Sequence, residues 1–287
     1  MNNQQSTINN QQYQEGWSLD ERDPQTIDSL MSYWEWFYQH YFRVKTDGWG
    51  HIPVDRKVLI VGSHNGGLAS PDMIMMMYDW FRHFGSERLV YGLMHPLVWK
   101  INPNLARLAA KTGAIVAHPK MAIAAFQRGA SVLVYPGGAQ DVFRPHFQRT
   151  KIHLAGRKGF IKLALREKVS IIPAISYGAH DTLIVLADFY EQAKQLHQWG
   201  MPWLLNLDPQ VFPIYLGLPW IIAIGPLPNF PLPVQIYTRI CAPIVFDRYG
   251  RDAASDRDYV DRCYHLVYSR MQGELDRLVL DYTTQSA

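Results

Sequence analysis

The run Val58-Leu59-Ile60-Val61, stopped by Gly62, constrains this chain more than any other feature. It is short, aliphatic and mostly β-branched, which suits a strand covered on both faces and therefore a parallel sheet with helices on either side. A little downstream, Ser70-Pro71-Asp72 reads as a helix start, with serine at the N-cap, proline at the first helical position and an acid in the first turn. Between strand and helix lies Ser63-His64-Asn65-Gly66-Gly67, a sharp connection carrying a histidine. Loops at the carboxyl ends of strands in open α/β sheets are where ligands sit. Taken alone, the stretch also fits a surface histidine beside two turn glycines.

The alternation continues along the chain. A Met-rich helix is expected from Asp72 to Phe84, a strand from Arg88 to Met94, and a helix from Pro96 to Lys111 ending at Gly113. There follow a short strand (Ala114 to Ala117), a helix (Pro119 to Arg128) ending at Gly129, and the strand Ser131 to Tyr135, broken by Pro136-Gly137-Gly138. The amphipathic helix Arg157 to Lys168 leads to a strand over Ser170 to Tyr177. Strands alternating with helices of this length predict an α/β fold with a largely parallel sheet flanked by helices. Val234 to Ile240 and Ala242 to Phe246 are expected to form a closing strand pair, and Asp256 to Leu280 a terminal helix.

Two segments stand apart. Residues 1–16 are Asn/Gln-rich and expected to be a disordered tail. Asp23-Pro24 then caps a helix in residues 17–48 whose Ile27, Leu30, Met31, Trp34, Phe37, Tyr38, Tyr41 and Phe42 recur at helical spacing, with Tyr33 and Trp36 beyond that stripe. Such a helix either lies in a membrane interface, apolar face down, or packs on the main domain, residues 49–287. The second segment, Met201 to Pro233, is apolar and broken by eight prolines, which rule out regular helix through most of it. Pro219-Trp220-Ile221-Ile222-Ala223-Ile224-Gly225 reads as a strand there. Its aromatics Trp203, Phe212, Tyr215 and Trp220 would cover an acyl tunnel, dip into lipid, or belong to a proline-rich loop over the core.

Composition narrows the classes. A formal net charge of +3 over 287 residues gives no basis for nucleic-acid binding. Cys241 and Cys263 have neither CxxC nor metal-ligand spacing, so no disulfide framework or zinc site is suggested. The scattered histidines lack the i, i+4 pairing of a helical metal site, and no metal or resident cofactor is expected. The counts of 9 Trp, 16 Tyr and 12 Phe are high and hint at an interface. No secretory leader and no membrane-spanning helix is expected. The cysteine usage suggests a reducing, cytosolic setting and the aromatics a membrane interface, so the expectation is a peripheral or monotopic protein on the cytoplasmic face of a membrane.

A histidine after a strand, with an acid in the next helix, has a specific use. A carboxylate on one ring nitrogen fixes the tautomer and makes the other nitrogen a better base. His64 and Asp72 are the candidate catalytic pair. Gly62-Ser63-His64-Asn65-Gly66 has the outline of a nucleophile elbow, yet its centre is histidine and G-x-S-x-G occurs nowhere. A base without a positioned nucleophile implies direct attack by a substrate hydroxyl, hence acyl transfer. The second constellation, Tyr135-Pro136-Gly137-Gly138-Ala139-Gln140-Asp141-Val142-Phe143-Arg144, also follows a strand. Its glycines let backbone N–H groups approach an oxyanion, and Arg144 either binds a phosphate or braces the loop through Asp141. Asn65, Gly66, Gly67, Pro136, Gly137, Gly138, Asp141 and Arg144 are the candidate substrate-binding residues. His180-Asp181 is the one further pair placed to line the same cleft.

Together these stretches resemble the glycerolipid acyltransferases of the lysophospholipid acyltransferase superfamily, especially the diacylglycerol-acyltransferase-like branch. The resemblance covers roughly Trp49 to Ile240, with the blocks in the family's order. Ser63-His64-Asn65-Gly66-Gly67 with Asp72 looks like the first block, in which histidine is the base and aspartate its partner. Tyr135-Pro136-Gly137-Gly138 looks like the glycine-rich acceptor block. Ile171-Ile172-Pro173, preceded by Gly156-Arg157-Lys158-Gly159-Phe160, looks like the hydrophobic-proline block of that branch. The resemblance implies transfer of an acyl group from acyl-CoA or an acyl carrier protein to a lipid hydroxyl at a membrane surface. Two departures matter. The common spacing puts the acid where this chain has Ala69, leaving Asp72 as the nearest one. Phosphate-reading members carry Glu-Gly-Thr-Arg where this chain has Gly137-Gly138-Ala139-Gln140, and the missing arginine removes a bidentate phosphate fork. This implies an uncharged acceptor: diacylglycerol, monoacylglycerol, a long-chain alcohol or a quinol. Lysophosphatidic acid is the alternative if Arg144, Arg149 or Lys151 substitutes. A thioesterase or other hydrolase, or a non-catalytic lipid-binding protein, are the readings from other classes.

Overall fold

Every residue from Val58 to Val61 is buried, and the reason is visible in the layers on either side. The computed structural model describes residues 15–203 and 208–283. Its strands are β1 (Lys45–Asp47), β2 (Leu59–Gly62), β3 (Val90–Met94), β4 (Ala114–Val116), β5 (Ser131–Val134), β6 (Ile171–Tyr177), β7 (Ile184–Asp188), β8 (Pro213–Gly217), β9 (Ile221–Ile224) and β10 (Tyr237–Ile240). Seven of them form one sheet in the order β1-β10-β6-β2-β5-β3-β4. From β6 through β4 all neighbours are parallel, while β10 runs antiparallel to β6 and parallel to β1.

Successive side chains of β2 point to opposite faces. Leu59 and Val61 enter a core with helices Pro119–Gln127, Gly159–Glu167 and Arg257–Thr283. Ile60 enters the opposite one, with helices Pro71–Phe84 and Pro24–Trp36. Burying an aliphatic side chain is worth about 1.5–3 kcal/mol, so a strand covered on both sides is a rigid platform for the loop that leaves its carboxyl end. The fold is therefore the expected α/β sandwich with a largely parallel central sheet.

The N-terminal helix starts as its cap predicts, Asp23 accepting from Gln25 N–H at 3.1 Å and Thr26 Oγ1 at 2.6 Å. It ends in a wider turn over Phe37–Tyr41. One side packs on Tyr78 and Phe81, while Tyr33 and Trp36 remain exposed. Lys45–Asp47 then joins the main sheet as an edge strand. Of the expected N-terminal tail, residues 1–14 lie outside the described residues; the Gly16 carbonyl accepts from Val116 N–H beside β4.

Three expectations are corrected. Pro96 to Lys111 is two helices, Pro96–Ile101 and Pro103–Lys111, because Pro103 restarts the helix behind an Asn102 cap on Leu105 N–H. The closing strand pair does not form: Tyr237–Ile240 pairs with β6 and β1, and Ile244 bridges singly to Ile171 on β6. The proline-rich region, read as one strand among loops, carries two of the three strands in a separate antiparallel sheet, β7-β8-β9. Among the described residues no helix is long and apolar enough to cross a membrane.

Candidate active site

β2 and β5 are adjacent and parallel, Val61 opposite Val134, so the loops leaving their carboxyl ends emerge side by side. Gly62 permits the approach, since a Cβ there would run into the ring of Tyr135. That ring lies against the His64 imidazole with centroids 4.5 Å apart and planes at 30°. Burial, and then the negative charge of Asp72, hold the Tyr135 phenol well above its usual range, so it remains neutral.

Asp72 sits in the first turn of helix Pro71–Phe84, where the helix dipole favours a carboxylate. Its Oδ1 accepts from Met73 N–H at 2.8 Å and its Oδ2 from Asn65 Nδ2 at 3.2 Å. His64 Nδ1 is 3.5 Å from Asp72 Oδ1, with the aspartate side chain 1% exposed and the imidazole 15%. This is longer than a closed hydrogen bond, a common geometry for a general base before substrate arrives. The other ring nitrogen, Nε2, lies 3.5 Å from Ser70 Oγ.

Ser70 departs from its expected role. With φ 46° and ψ 52° its side chain makes no capping bond to the helix and donates to the Gly67 carbonyl at 3.2 Å. A left-handed serine costs about 1–2 kcal/mol, the kind of strain that collects in functional loops. Gly66 and Gly67 also have positive φ, at 81° and 67°. A Cβ on Gly67 would meet Asn229 Oδ1 and Leu183 Cδ2 at 2.6 Å. Asn229 clasps this turn, its Oδ1 accepting from Ala69 N–H at 3.2 Å and its Nδ2 donating to the Gly66 carbonyl at 3.1 Å.

Beneath the loop runs a closed polar network. Asp141 Oδ2 accepts from His64 N–H at 2.6 Å, and Arg144 Nη1 donates to the His64 carbonyl at 2.9 Å, so the histidine backbone is held on both sides. Arg144 Nη1 also reaches Asp141 Oδ1 at 2.8 Å, and Nη2 reaches Asn65 Oδ1 at 2.6 Å. Asn65 passes the connection to Asp72. Burial raises the Asp141 carboxyl to about 6 against the pull of Arg144 and the His64 N–H, which leaves it ionised at neutral pH. Both members of the pair are buried, and Arg144 spends its remaining donors on the Gln148 and Arg149 carbonyls. Of the two uses open to Arg144, phosphate or brace, this is the brace.

The glycines after β5 make close packing possible. A Cβ on Gly137 would strike the His153 carbonyl and Asp141, and one on Gly138 would meet Arg157 Nη1 at 2.6 Å. Gly138 N–H closes the turn onto the Tyr135 carbonyl at 3.2 Å, while Arg157 Nη1 donates to the Pro136 carbonyl at 2.9 Å.

His180 and Asp181 do not act on each other. Burial, and then Arg144, push the His180 imidazole down to about 3, so it is neutral and its Nε2 donates to the Arg144 carbonyl at 2.8 Å. Asp181 accepts from His146 at 2.8 Å and lies 3.7 Å from Arg149. Sequence reasoning missed Ser70 as a neighbour of the imidazole, Tyr135 as its stacking partner, Asn229 as the clasp and His180 as a second brace. Tyr135 carried a local signal from its place before Pro136-Gly137-Gly138, His180 from its pairing with Asp181 and Ser70 from the helix start, while Asn229 carried none. Among the described residues no group of His, Cys, Asp or Glu is arranged to hold a metal ion.

Comparison with known proteins bears on what this arrangement does. A family model described as diacylglycerol acyltransferase matches residues 29–212, more than half of the chain. An uncharacterized protein of Mycobacterium tuberculosis is 26% identical over 243 residues, covering 85% of this chain and 63% of its own length. One of Mycobacterium leprae is 25% identical over 243 residues, covering 85% and 62% respectively. The chain thus spans less than two thirds of the length of these relatives. Among solved structures, the 1-acyl-sn-glycerophosphate (LPA) acyltransferase PlsC from Thermotoga maritima is similar at a TM-score of 0.48 and 14% identity, over 88% of this chain and 79% of that one.

Proposed function

This chain belongs to the diacylglycerol acyltransferase family, and from that premise we propose that it transfers a fatty acyl group from an acyl thioester, acyl-CoA or acyl carrier protein, to the hydroxyl of a lipid acceptor at a membrane surface. His64 Nε2 takes the proton of the acceptor hydroxyl as its oxygen attacks the thioester carbonyl. Asp72 behind Nδ1 fixes the tautomer and stabilises the imidazolium. The backbone N–H groups of Gly66, Gly67 and Gly137 are the donors at hand for the tetrahedral oxyanion. Collapse breaks the C–S bond, and the proton on Nε2 passes to the departing thiolate. The observation that carries this reading is the alignment of Asp72, His64 and the Tyr135 loop at the carboxyl edge of β2 and β5.

The acceptor is uncharged on this reading: a diacylglycerol, monoacylglycerol, long-chain alcohol or quinol. Enclosure of Arg144 supports it, because that guanidinium is committed to the loop, and Arg149 faces Asp181. A lysophosphatidic acid acceptor would need a cation outside this network, such as the exposed Lys151, to take its phosphate. The test is incubation of the purified protein with labelled acyl-CoA, with and without each acceptor. Ester should form only with acceptor, and His64→Ala should lower its rate about 100- to 10,000-fold without unfolding the protein. Free acid released equally in both conditions would make the protein a hydrolase. Near-normal turnover by His64→Ala would remove the assigned base.

A further inference from the structure

An antiparallel sheet with one face on the core and the other in water alternates apolar and polar residues along each strand. β8 and β9 do not. Tyr215 and Ala223 pair across the strands and point inward, both buried. The outward pairs are Ile214 with Ile224 and Leu216 with Ile222, and they are aliphatic too. Ile222 and Ile224 are 62% and 57% exposed, and Ile221 at the turn is 73% exposed. Trp220, Leu218 and Phe230 extend the patch, and Phe230 N–H is tied to the Leu218 carbonyl at 2.8 Å. From Pro209 to Thr238 the chain carries no Asp, Glu, Lys, Arg or His. Exposed apolar surface on this scale marks a face that something covers.

The patch is continuous with two other features. Phe230 meets the ring of Tyr41 edge-on at 6.1 Å, and Tyr41 neighbours Trp36, so the exposed aromatics of the N-terminal helix extend it. Arg43, at that junction, donates to the Tyr41 and Pro233 carbonyls, and no carboxylate among the described residues is within ion-pair reach of it. In the other direction Asn229, next to Phe230, clasps the His64 loop, whose Leu68 is itself half exposed. A face free of charge at its centre, with tryptophan near its edge and an uncompensated arginine beside it, complements a bilayer: hydrocarbon for the isoleucines, the interface for the indole, anionic headgroups for the guanidinium.

We propose that the β8–β9 hairpin, with Phe230 and the exposed edge of the N-terminal helix, is the surface by which this protein enters lipid. Asn229 sets that surface against the catalytic loop, so a lipid acceptor passes to His64 without crossing water. This rests on the acyl-transfer reading for its purpose, while the docking itself is measured separately. Sedimentation with vesicles of phosphatidylcholine, or of phosphatidylcholine and phosphatidylglycerol in equal parts, reads it directly. The wild-type protein should pellet with both, more strongly with the anionic vesicles. Ile222→Glu/Ile224→Glu should weaken binding to both about ten-fold or more, with unfolding temperature and acyl transfer to a detergent-dispersed acceptor unchanged. Arg43→Gln should lose about five-fold on the anionic vesicles alone. A second pair, Ile221→Ser/Ile224→Ser, guards against an effect of the added charge and should also weaken binding. Transfer in detergent together with unaltered vesicle binding by both paired variants would overturn the docking face and leave the enzyme standing. Vesicle binding lost in the variants, with no transfer by any form, would keep the face and overturn the enzyme. A lipid-free dimer that the paired variants dissociate, with vesicle binding unchanged, would assign the face to a second copy of the chain instead.

Discussion

Around His64 the chain encloses charge: Asp72, Asp141 and Arg144 are all buried. Along Ile221–Ile224 it does the reverse and leaves isoleucines in the open. The two regions are joined by one asparagine, yet they break the ordinary rule of inside and outside in opposite senses. Enclosed charge is costly unless every lone pair and proton is met, and here the cluster meets them with short bonds to the backbone of the histidine itself. Exposed aliphatic surface carries no such compensation within the protein. The Asp141–Arg144 pair is satisfied within the protein, while the isoleucine face awaits a partner, which is how a rigid catalytic edge differs from a docking face.

That contrast can be broken most severely from the polar side. Arg144→Met leaves Asp141 buried without its cation and should destabilise the fold by about 3–5 kcal/mol in urea unfolding. Arg144→Lys should rescue little, because one ammonium cannot reach the His64 carbonyl, Asp141 and Asn65 together. Gly67→Ala is the next largest, at about 1–3 kcal/mol, since a side chain at φ 67° meets Asn229 and Leu183. Tyr135→Ala removes the ring beside the imidazole and should lower kcat about three- to ten-fold with KM nearly unchanged, as loss of a positioning contact would. From the apolar side the effect on stability should nearly vanish. Ile222→Glu, at a solvated position, should move the unfolding free energy by no more than about 0.5 kcal/mol.

The same contrast explains which parts of the molecule are legible in the sequence. The strand Val58–Val61, the proline at Pro71 and the turn after Tyr135 are local patterns, and they lead to the parallel sheet and the shared edge of His64 and Gly137. The network under the loop depends on Asp141 and Arg144 folding back onto a histidine 77 and 80 positions away, and Asn229 lies 163 positions from the carbonyl it holds. No local pattern reports such partners. Ser70 has the right residue type for a cap, but it lies in a left-handed conformation behind Gly66 and Gly67, which also have positive φ, and its hydroxyl comes within 3.5 Å of His64 instead. The second sheet is hidden by its prolines: Pro213 is the first residue of the central strand β8 and Pro219 sits in the turn after it, places where proline is tolerated although both read as breakers. The helix expected over Pro96 to Lys111 fails for the opposite reason, an apolar periodicity that continues across the break at Pro103.

If Asp72 and His64 act as one unit, a double-mutant cycle on ester formation from acyl-CoA and a neutral lipid alcohol measures that directly. Asp72→Asn should reduce kcat by a large part of the His64→Ala effect, and the combined variant should be no slower than His64→Ala alone, the strong non-additivity of a shared catalytic function. Losses that simply multiply, or an Asp72→Asn enzyme with wild-type turnover, would contradict it.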